Sequence, residues 1–275
     1  MTHDLVRKAV VAVAVATLAL AAGCSGDDPG TTPSGPARET PAAPPAAPPA
    51  RACYDLDFDQ AAKPTSDARP VQCRSTHTAE TIHVGTIRPV VDGHLLAVDS
   101  DTVQAQIARR CRARYAAFVG GSTEARRLSR LAVVWFSPTL AQSDQGALWF
   151  RCDVVALAGH DRLATLPRRV RGILDAPGAL DRYGTCGTAS PASKRFQRVI
   201  CSQRHTWRAR ATVALPRGSA YLGRRAGATA NSTCHDIDAR LAEDILRLRW
   251  SFEWPTRQQW DAGQRFGYCW TPDPA

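Results

Sequence analysis

A four-cysteine pattern that occurs twice constrains this chain more than any other feature of its sequence. Each copy has two early cysteines, a histidine four residues after the second, a cysteine in a helical segment and a cysteine at its end. The copies read Cys53, Cys73, His77, Cys111, Cys152 and Cys186, Cys201, His205, Cys234, Cys269. Units on the order of 100 residues are too long for a solenoid repeat, so the pattern indicates an internal duplication, with repeats at 53–152 and 186–269.

The closest match between the repeats lies just before the last cysteine. Residues 138–152 and 255–269 align without gaps. The shared positions are Pro138, Thr139, Gln142, Asp144, Gly146 and Cys152, opposite Pro255, Thr256, Gln259, Asp261, Gly263 and Cys269. The Asp-x-Gly step predicts a turn in which the glycine adopts a positive φ. The aromatic residues after the turn favour a strand that delivers the last cysteine.

Hydrophobic periodicity in the first repeat predicts strands on both sides of one helix. Residues 82–86 alternate with period two, and residues 131–136 form an apolar run typical of a buried strand. Between them, apolar side chains at helical spacing predict a helix over 101–119 that ends at Gly120 and Gly121. Cys111 lies on its apolar face and is expected to point into the core.

The second repeat shows the same order of elements. Residues 207–215 alternate as a half-buried strand, and Asn231 and Ser232 are interpreted as the start of a helix over 234–247. The predicted fold class is therefore α+β, a duplicated module in which each copy is a small antiparallel sheet with one packed helix. We expect a pseudo-two-fold axis to relate the copies.

The N-terminal segment is typical of an exported lipoprotein. Two basic residues precede an apolar run over residues 9–22, as in a secretory signal peptide. Residues 20–24 resemble a bacterial lipobox, which implies a diacylglyceryl thioether on Cys24 after cleavage of residues 1–23. An ordinary signal peptide with a chance cysteine is the alternative. Residues 24–50 then form a tether rich in Pro and Ala, and residues 51–275 form the folded part. The expected location is the outer face of the cell membrane.

Cysteine usage indicates disulfides in an oxidising compartment. Lipidation of Cys24 leaves eight of the nine cysteines, four in each repeat. Four cysteines allow three pairings, and the sequence does not choose among them. The favoured bridges are Cys53–Cys73, Cys111–Cys152, Cys186–Cys201 and Cys234–Cys269. A zinc site is the rival interpretation, but the CxxC spacing that such sites favour is missing, so no metal or cofactor is expected.

Positive charge suggests the chemistry of a partner. The net charge is +10, and arginines cluster at positions 168, 169, 171, 204, 208, 210, 224 and 225. Outside the membrane the polyanions are phospholipid head groups and wall polymers rather than nucleic acid. The expected partners are the membrane, through the lipid anchor, and an envelope protein or an anionic wall polymer. A solvated arginine-rich surface is the alternative.

Few polar residues are candidates for chemistry. His77 and Glu80 could form an acid–base or metal pair, or His77 could bond the backbone of a turn beside a disulfide. His205 has no acidic residue at the matching position. Asp144 and Asp261 are further candidates because they occupy equivalent places in the two repeats. The sequence has neither an HExxH nor a GxSxG motif.

These features together resemble the actinobacterial septum formation family of predicted lipoproteins. The resemblance covers about residues 51–275 and rests on the paired Cys-x-x-x-His-Thr segments and the cysteine endings behind a lipobox. The second repeat departs from it, with Arg208 where the acidic residue would be. The resemblance implies an extracytoplasmic domain without established enzyme activity. We therefore expect a non-catalytic envelope lipoprotein that serves as a binding or adaptor module. The alternative is an envelope enzyme that uses His77 with Glu80 or Asp144.

Overall fold

The structure is a computed structural model that describes residues 42–216, 220–241 and 244–273. The predicted signal peptide, Cys24 and the first part of the tether lie outside these residues. The end of the tether belongs to the folded unit, which begins at Ala42. There Pro44 packs on the turn at Gly146, where an added Cβ would lie 3.2 Å from the proline ring.

The first repeat forms an antiparallel sheet with one long helix packed on it. Its strands run in the order β1-β2-β6-β5. The elements are β1 (Cys53–Tyr54), α1 (Phe58–Ala62), β2 (Ala79–Thr86), β3 (Val90–Val91), β4 (His94–Leu95), α2 (Asp101–Val119), α3 (Thr123–Leu128), β5 (Leu131–Phe136), α4 (Leu140–Asp144) and β6 (Trp149–Leu157). Strands β3 and β4 form a separate hairpin. The predicted helix over 101–119 is confirmed with both ends.

The connector and the second repeat follow with a matching sheet. Strand order here is β11-β12-β10-β8-β9, and β7 of the connector pairs with β6. The elements are β7 (Leu163–Ala164), a 3-10 turn (Ile173–Asp175), α5 (Ala179–Tyr183), β8 (Thr185–Gly187), β9 (Arg198–Ile200), β10 (Trp207–Ala214), a 3-10 turn (Gly223–Arg225), α6 (Ala226–Leu241), a 3-10 turn (Ile245–Arg247), β11 (Ser251–Glu253), α7 (Arg257–Asp261) and β12 (Phe266–Pro272). The α+β class is confirmed.

The two sheets agree in strand order and in register. Strands β1, β2, β6 and β5 correspond to β8, β10, β12 and β11. Each central ladder slips at the same place, between Thr81 and His83 of β2 and between Ala209 and Ala211 of β10. A β-bulge that recurs at the same place in both sheets is consistent with the predicted duplication. The pseudo-two-fold relation of the repeats stays a prediction.

Two of the four disulfides join the long helices α2 and α6 to the sheets, and the other two join the first strand of each repeat to a nearby turn. The bridges are Cys53–Cys73, Cys111–Cys152, Cys186–Cys201 and Cys234–Cys269, the pairing that the sequence favours. Helix α6 begins before Asn231 and Ser232, so the interpretation of these residues as the helix start is wrong. Leu222 and a 3-10 turn lead into the helix instead. Cys234 is then the ninth residue of α6 and Cys111 the eleventh of α2, which places the two bridges alike.

The matched segments before the last cysteines are short helices rather than simple turns. Thr139 caps α4 by accepting from the Gln142 N–H, while the Gln142 side chain accepts from the Thr139 N–H. Thr256 and Gln259 form the same reciprocal cap on α7. This capping box accounts for two of the shared positions. The glycines that follow, Gly146 and Gly263, have φ of +92° and +97°, as the Asp-x-Gly step predicts.

One feature of the first core has no counterpart in the second. Arg151 and Asp153 on β6 form a buried ion pair, with Nε and Oδ2 3.0 Å apart. The Arg151 guanidinium stacks on Tyr54 at 3.8 Å, and the Thr81 hydroxyl donates to Asp153 at 2.8 Å. Burial raises the pKa of Asp153 to about 6 in spite of the positive charge of Arg151. The equivalent positions of β12 carry Tyr268 and Trp270, which pack instead.

Candidate functional site

The two repeated histidines occupy equivalent, buried positions beside a disulfide. His77 is 1% exposed and His205 is 7% exposed. In both, Nδ1 lies against the backbone carbonyl two residues earlier, at 2.8 Å from Ser75 and 2.7 Å from Gln203. A carbonyl oxygen only accepts, so Nδ1 carries the proton and donates. The local turn therefore leaves Nε2 as the open nitrogen in each repeat.

In the first repeat Nε2 of His77 lies in a buried cluster with the acidic residue Glu80. Cys53, His77 and Glu80 each bring one ligand-type atom within 4.8 Å of the others. Neither His77 Nε2 nor Glu80 Oε2 has a hydrogen-bond partner among the described residues, although both atoms are buried. Burial raises the pKa of Glu80, and the opposing charges of His77 and Arg171 do not cancel the effect. The arrangement brings an imidazole and a carboxyl group together without a direct hydrogen bond to Nε2.

In the second repeat an acidic group reaches the histidine by another route. Arg208 stands at the position of Glu80, and Asp273 at the end of β12 supplies the carboxylate. Its Oδ2 lies 3.3 Å from Nε2 of His205. His205 lacks an acidic residue at the matching position, as the sequence shows, but its carboxylate partner comes from 68 residues along the chain. Cys186, His205 and Asp273 thus repeat the first cluster.

Two arginines hold Asp273 in its ionised form. The Arg208 Nε donates to Oδ2 of Asp273, and Arg210 Nη2 lies 3.0 Å from Oδ1. Burial acts to raise the pKa of Asp273, but the hydrogen bond from Arg208 and the charge of Arg210 outweigh it and lower the pKa. Arg208 also pairs with Asp181 at 2.7 Å. Two arginines of the predicted basic patch are therefore tied into an internal network.

The remaining sequence candidates do not join these clusters. Asp144 is exposed at the end of α4 and is not part of the group around His77. Asp261 is exposed at the end of α7 and pairs with Arg257 at 2.9 Å. Both residues occupy the last position of their short helices. Their equivalence follows from the repeated capping geometry rather than from a common reactive centre.

An open cleft lies where the first repeat and the connector meet the second repeat. Its volume is about 430 Å³. The lining residues are Phe58, Arg130, Leu157, Gly159, His160, Phe196, Gln197 and Arg198. Phe196 packs edge-on against the buried Trp270, with ring centroids 5.2 Å apart, so this aromatic wall is fixed by the second core. The cleft combines aromatic walls with two guanidinium groups.

The charges around the cleft are not balanced. Arg130 donates from Nε and Nη2 to the carbonyl oxygens of Leu157 and Gly159, at 3.1 and 2.9 Å. Arg198 pairs with Glu253, whose Oε1 lies 2.7 Å from Nη2. Burial, followed by the neighbouring charge of Arg198, lowers the pKa of Arg130 to about 10. None of the described residues that line the cleft is acidic, but Glu253 beside it neutralises Arg198, so the positive charge that an entering anion would meet comes from Arg130.

Sequence reasoning missed the residues of this cleft and the Asp273 carboxylate. Arg130 follows a short helix, and Arg198 precedes the second cysteine of its repeat by three residues. Neither position repeats between the copies, and no periodicity marks them. Their proximity depends on how the repeats pack, which local pattern does not encode.

None of the helices within the described ranges is long and apolar enough to cross a membrane. Cys24, the predicted lipidation site, lies outside those ranges. Comparison with curated proteins and with solved structures gives no match. A family model described as septum formation matches residues 52–269, which include both repeats, all four bridges and both repeated histidines, but not Asp273. The chain therefore belongs to the septum formation family.

Proposed function

We propose that this protein is a non-catalytic, membrane-anchored envelope lipoprotein that binds an anionic component of the cell envelope during septum formation. The cleft between the repeats carries the proposal. It offers two guanidinium groups, no acidic lining residue among those described, and aromatic walls at Phe58 and Phe196. The family's description supports a role in cell division or the envelope. An adaptor that presents this cleft is the function that fits these features best.

The rigidity of the module supports binding rather than turnover. Each histidine is buried and bonds its own turn, so a substrate in the present conformation cannot reach either ring. All eight cysteines of the described residues are consumed in bridges, which leaves no thiolate as a nucleophile. An envelope enzyme based on His77 and Glu80 is the second candidate. Turnover of an envelope substrate that is lost in His77→Ala protein with native disulfides would establish it instead.

The anchor is the first testable part of this proposal. Cys24 is expected to carry a diacylglyceryl thioether, because residues 20–24 match a lipobox ahead of a Pro/Ala-rich tether. Two acyl chains, each contributing about 0.8 kcal/mol per buried CH₂, hold a protein stably on a membrane. Mass spectrometry of the mature N-terminus measures the modification. An unmodified Cys24 on a mature chain would refute the anchor.

Binding to the envelope is the second part. Full-length protein carrying Cys24→Ser, which removes the acyl anchor, is expected to bind isolated envelope fractions more weakly as salt rises from 0.1 M to 1 M. The physical reason is screening, since the Debye length falls from about 10 Å to about 3 Å over that range. Cosedimentation across a salt series measures the affinity. Binding that is independent of salt would contradict an anionic partner, while leaving the anchor unaffected.

A further inference from the structure

The two histidine clusters contain more donors than a structural turn requires. In each repeat a cysteine sulfur, a histidine nitrogen and a carboxylate oxygen lie within 4.8 Å of one another. The second repeat has Arg208 at the position of Glu80, and its carboxylate comes from Asp273 instead. The same three kinds of donor therefore meet in both repeats through different positions in the chain.

These donors form a ligand set for a Zn²⁺-class cation once the adjoining disulfide is open. Thiolate, imidazole and carboxylate are the groups that bind zinc in proteins. The Nδ1–H of His77 donates to a backbone carbonyl, the second contact that zinc-ligating histidines usually make. Nε2 of His77 and Oε2 of Glu80 are buried without partners among the described residues. In the oxidised state the Cys53 sulfur is bonded to Cys73 and is not a thiolate.

We propose that the first cluster is a redox-gated metal site, in which reduction of Cys53–Cys73 creates a binding site for a divalent zinc-class cation. A dithiol reductant supplies two electrons and two protons, opens the S–S bond to two thiols and becomes a disulfide itself. The cation then binds as thiolates form, and the thiol protons pass to water. The ligands are Cys53, His77 and Glu80, the three donors that lie within 4.8 Å of one another.

The first cluster is better suited to this role than the second. Among the eight bridged cysteines only Cys73 is partly exposed, so a reductant reaches this bridge most directly. Asp273 in the second cluster is already held by Arg208 and Arg210, which compete with a cation for its oxygens. The second site is therefore the weaker one.

The test uses full-length protein carrying Cys24→Ser, so that only the bridged cysteines remain. In that background Cys73→Ser frees Cys53 without a reductant and leaves the other three bridges closed. We expect this protein to bind one equivalent of Co²⁺ with the ultraviolet absorption of thiolate–metal charge transfer. Adding His77→Ala should weaken binding by at least about tenfold, the effect typical of disturbing a metal site.

A matched control frees a cysteine that has no such surroundings. Cys152→Ser releases Cys111, which belongs to no ligand cluster among the described residues, and no charge-transfer band is expected. Equal Co²⁺ binding by this control, or no binding by Cys73→Ser protein with a native near-ultraviolet circular dichroism spectrum, would overturn the proposal. If Cys73→Ser does not fold, the same titration is made on mildly reduced protein that retains wild-type Cys73. Absence of a metal band in folded, reduced protein then overturns it.

Discussion

Replacing Asp153 with alanine is expected to lower the free energy of unfolding by about 3–5 kcal/mol. The substitution leaves the Arg151 guanidinium buried against aromatic rings without its carboxylate, and breaking a buried ion pair on one side costs about this much. Urea unfolding of wild-type and variant protein, compared at equal slope, measures the difference. A loss below about 1 kcal/mol, the scale of an exposed pair, would contradict the role assigned to this pair.

A double variant provides the control for this prediction. Arg151→Met with Asp153→Leu removes both charges and keeps an apolar volume between the strands, so most of the lost stability should return.

The pH dependence of stability gives a second readout of the buried pair. The pKa of Asp153 is raised from 3.8 to about 6, so as the pH falls the carboxyl group of Asp153 is protonated at a higher pH in the folded protein than in the unfolded chain. The stabilisation that comes from protonating Asp153 is therefore fully present below about pH 4 and is lost as the pH rises through about 6. Asp153→Asn protein should lack this pH-dependent part of the stability.

Removing the Cys111–Cys152 bridge is expected to have a similarly large effect. Its two cysteines are 41 residues apart, and the chain-entropy model gives a stabilisation of about 4 kcal/mol for a loop of that length. Both sulfurs are fully buried, where α2 packs on the sheet next to Ile107 and Phe150. Unfolding of Cys111→Ala/Cys152→Ala protein in urea measures the loss.

The bridge of the second repeat with the shortest span serves as the comparison. Cys186 and Cys201 are separated by 15 residues, so removing both should cost about 3 kcal/mol by the same model. The longer bridge is thus expected to matter more. Equal or inverted losses would show that local packing, rather than loop closure, sets the contribution of these disulfides.

Local patterns in the sequence were sufficient to predict the helices and strands whose formation depends on residues near them in the chain. Apolar residues at helical spacing predicted α2 with Cys111 facing the core, because one face of an amphipathic helix must be buried. The second helix was placed too late, since Asn231 and Ser232 are common at caps but here lie inside α6. The capping boxes were readable in principle, because Thr-x-x-Gln is a known start signal for a helix.

The candidate sites depended on long-range packing that the sequence does not display. Asp273 reaches His205 from the far end of the repeat, and Arg130 meets Arg198 only when the repeats are packed together. The buried pair of Arg151 and Asp153 was equally hidden, since charged residues on a strand normally indicate a solvent-facing side. Periodicity reports which face is buried, but not which distant side chain completes a polar contact there.

The most direct test of the binding proposal places one negative charge in the cleft and the same charge outside it. Gln197 is exposed and lines the cleft, whereas Gln258 is exposed on α7 and does not line it. In a Cys24→Ser background without the acyl anchor, Gln197→Glu and Gln258→Glu change the net charge equally, so any difference in envelope binding reports position alone. Cosedimentation with envelope fractions at 0.1 M salt should show Gln197→Glu weakened about two- to fivefold, the scale of one exposed charge interaction. Gln258→Glu should bind like wild type. Equal binding by the two variants would contradict the cleft as the site where this protein meets the envelope.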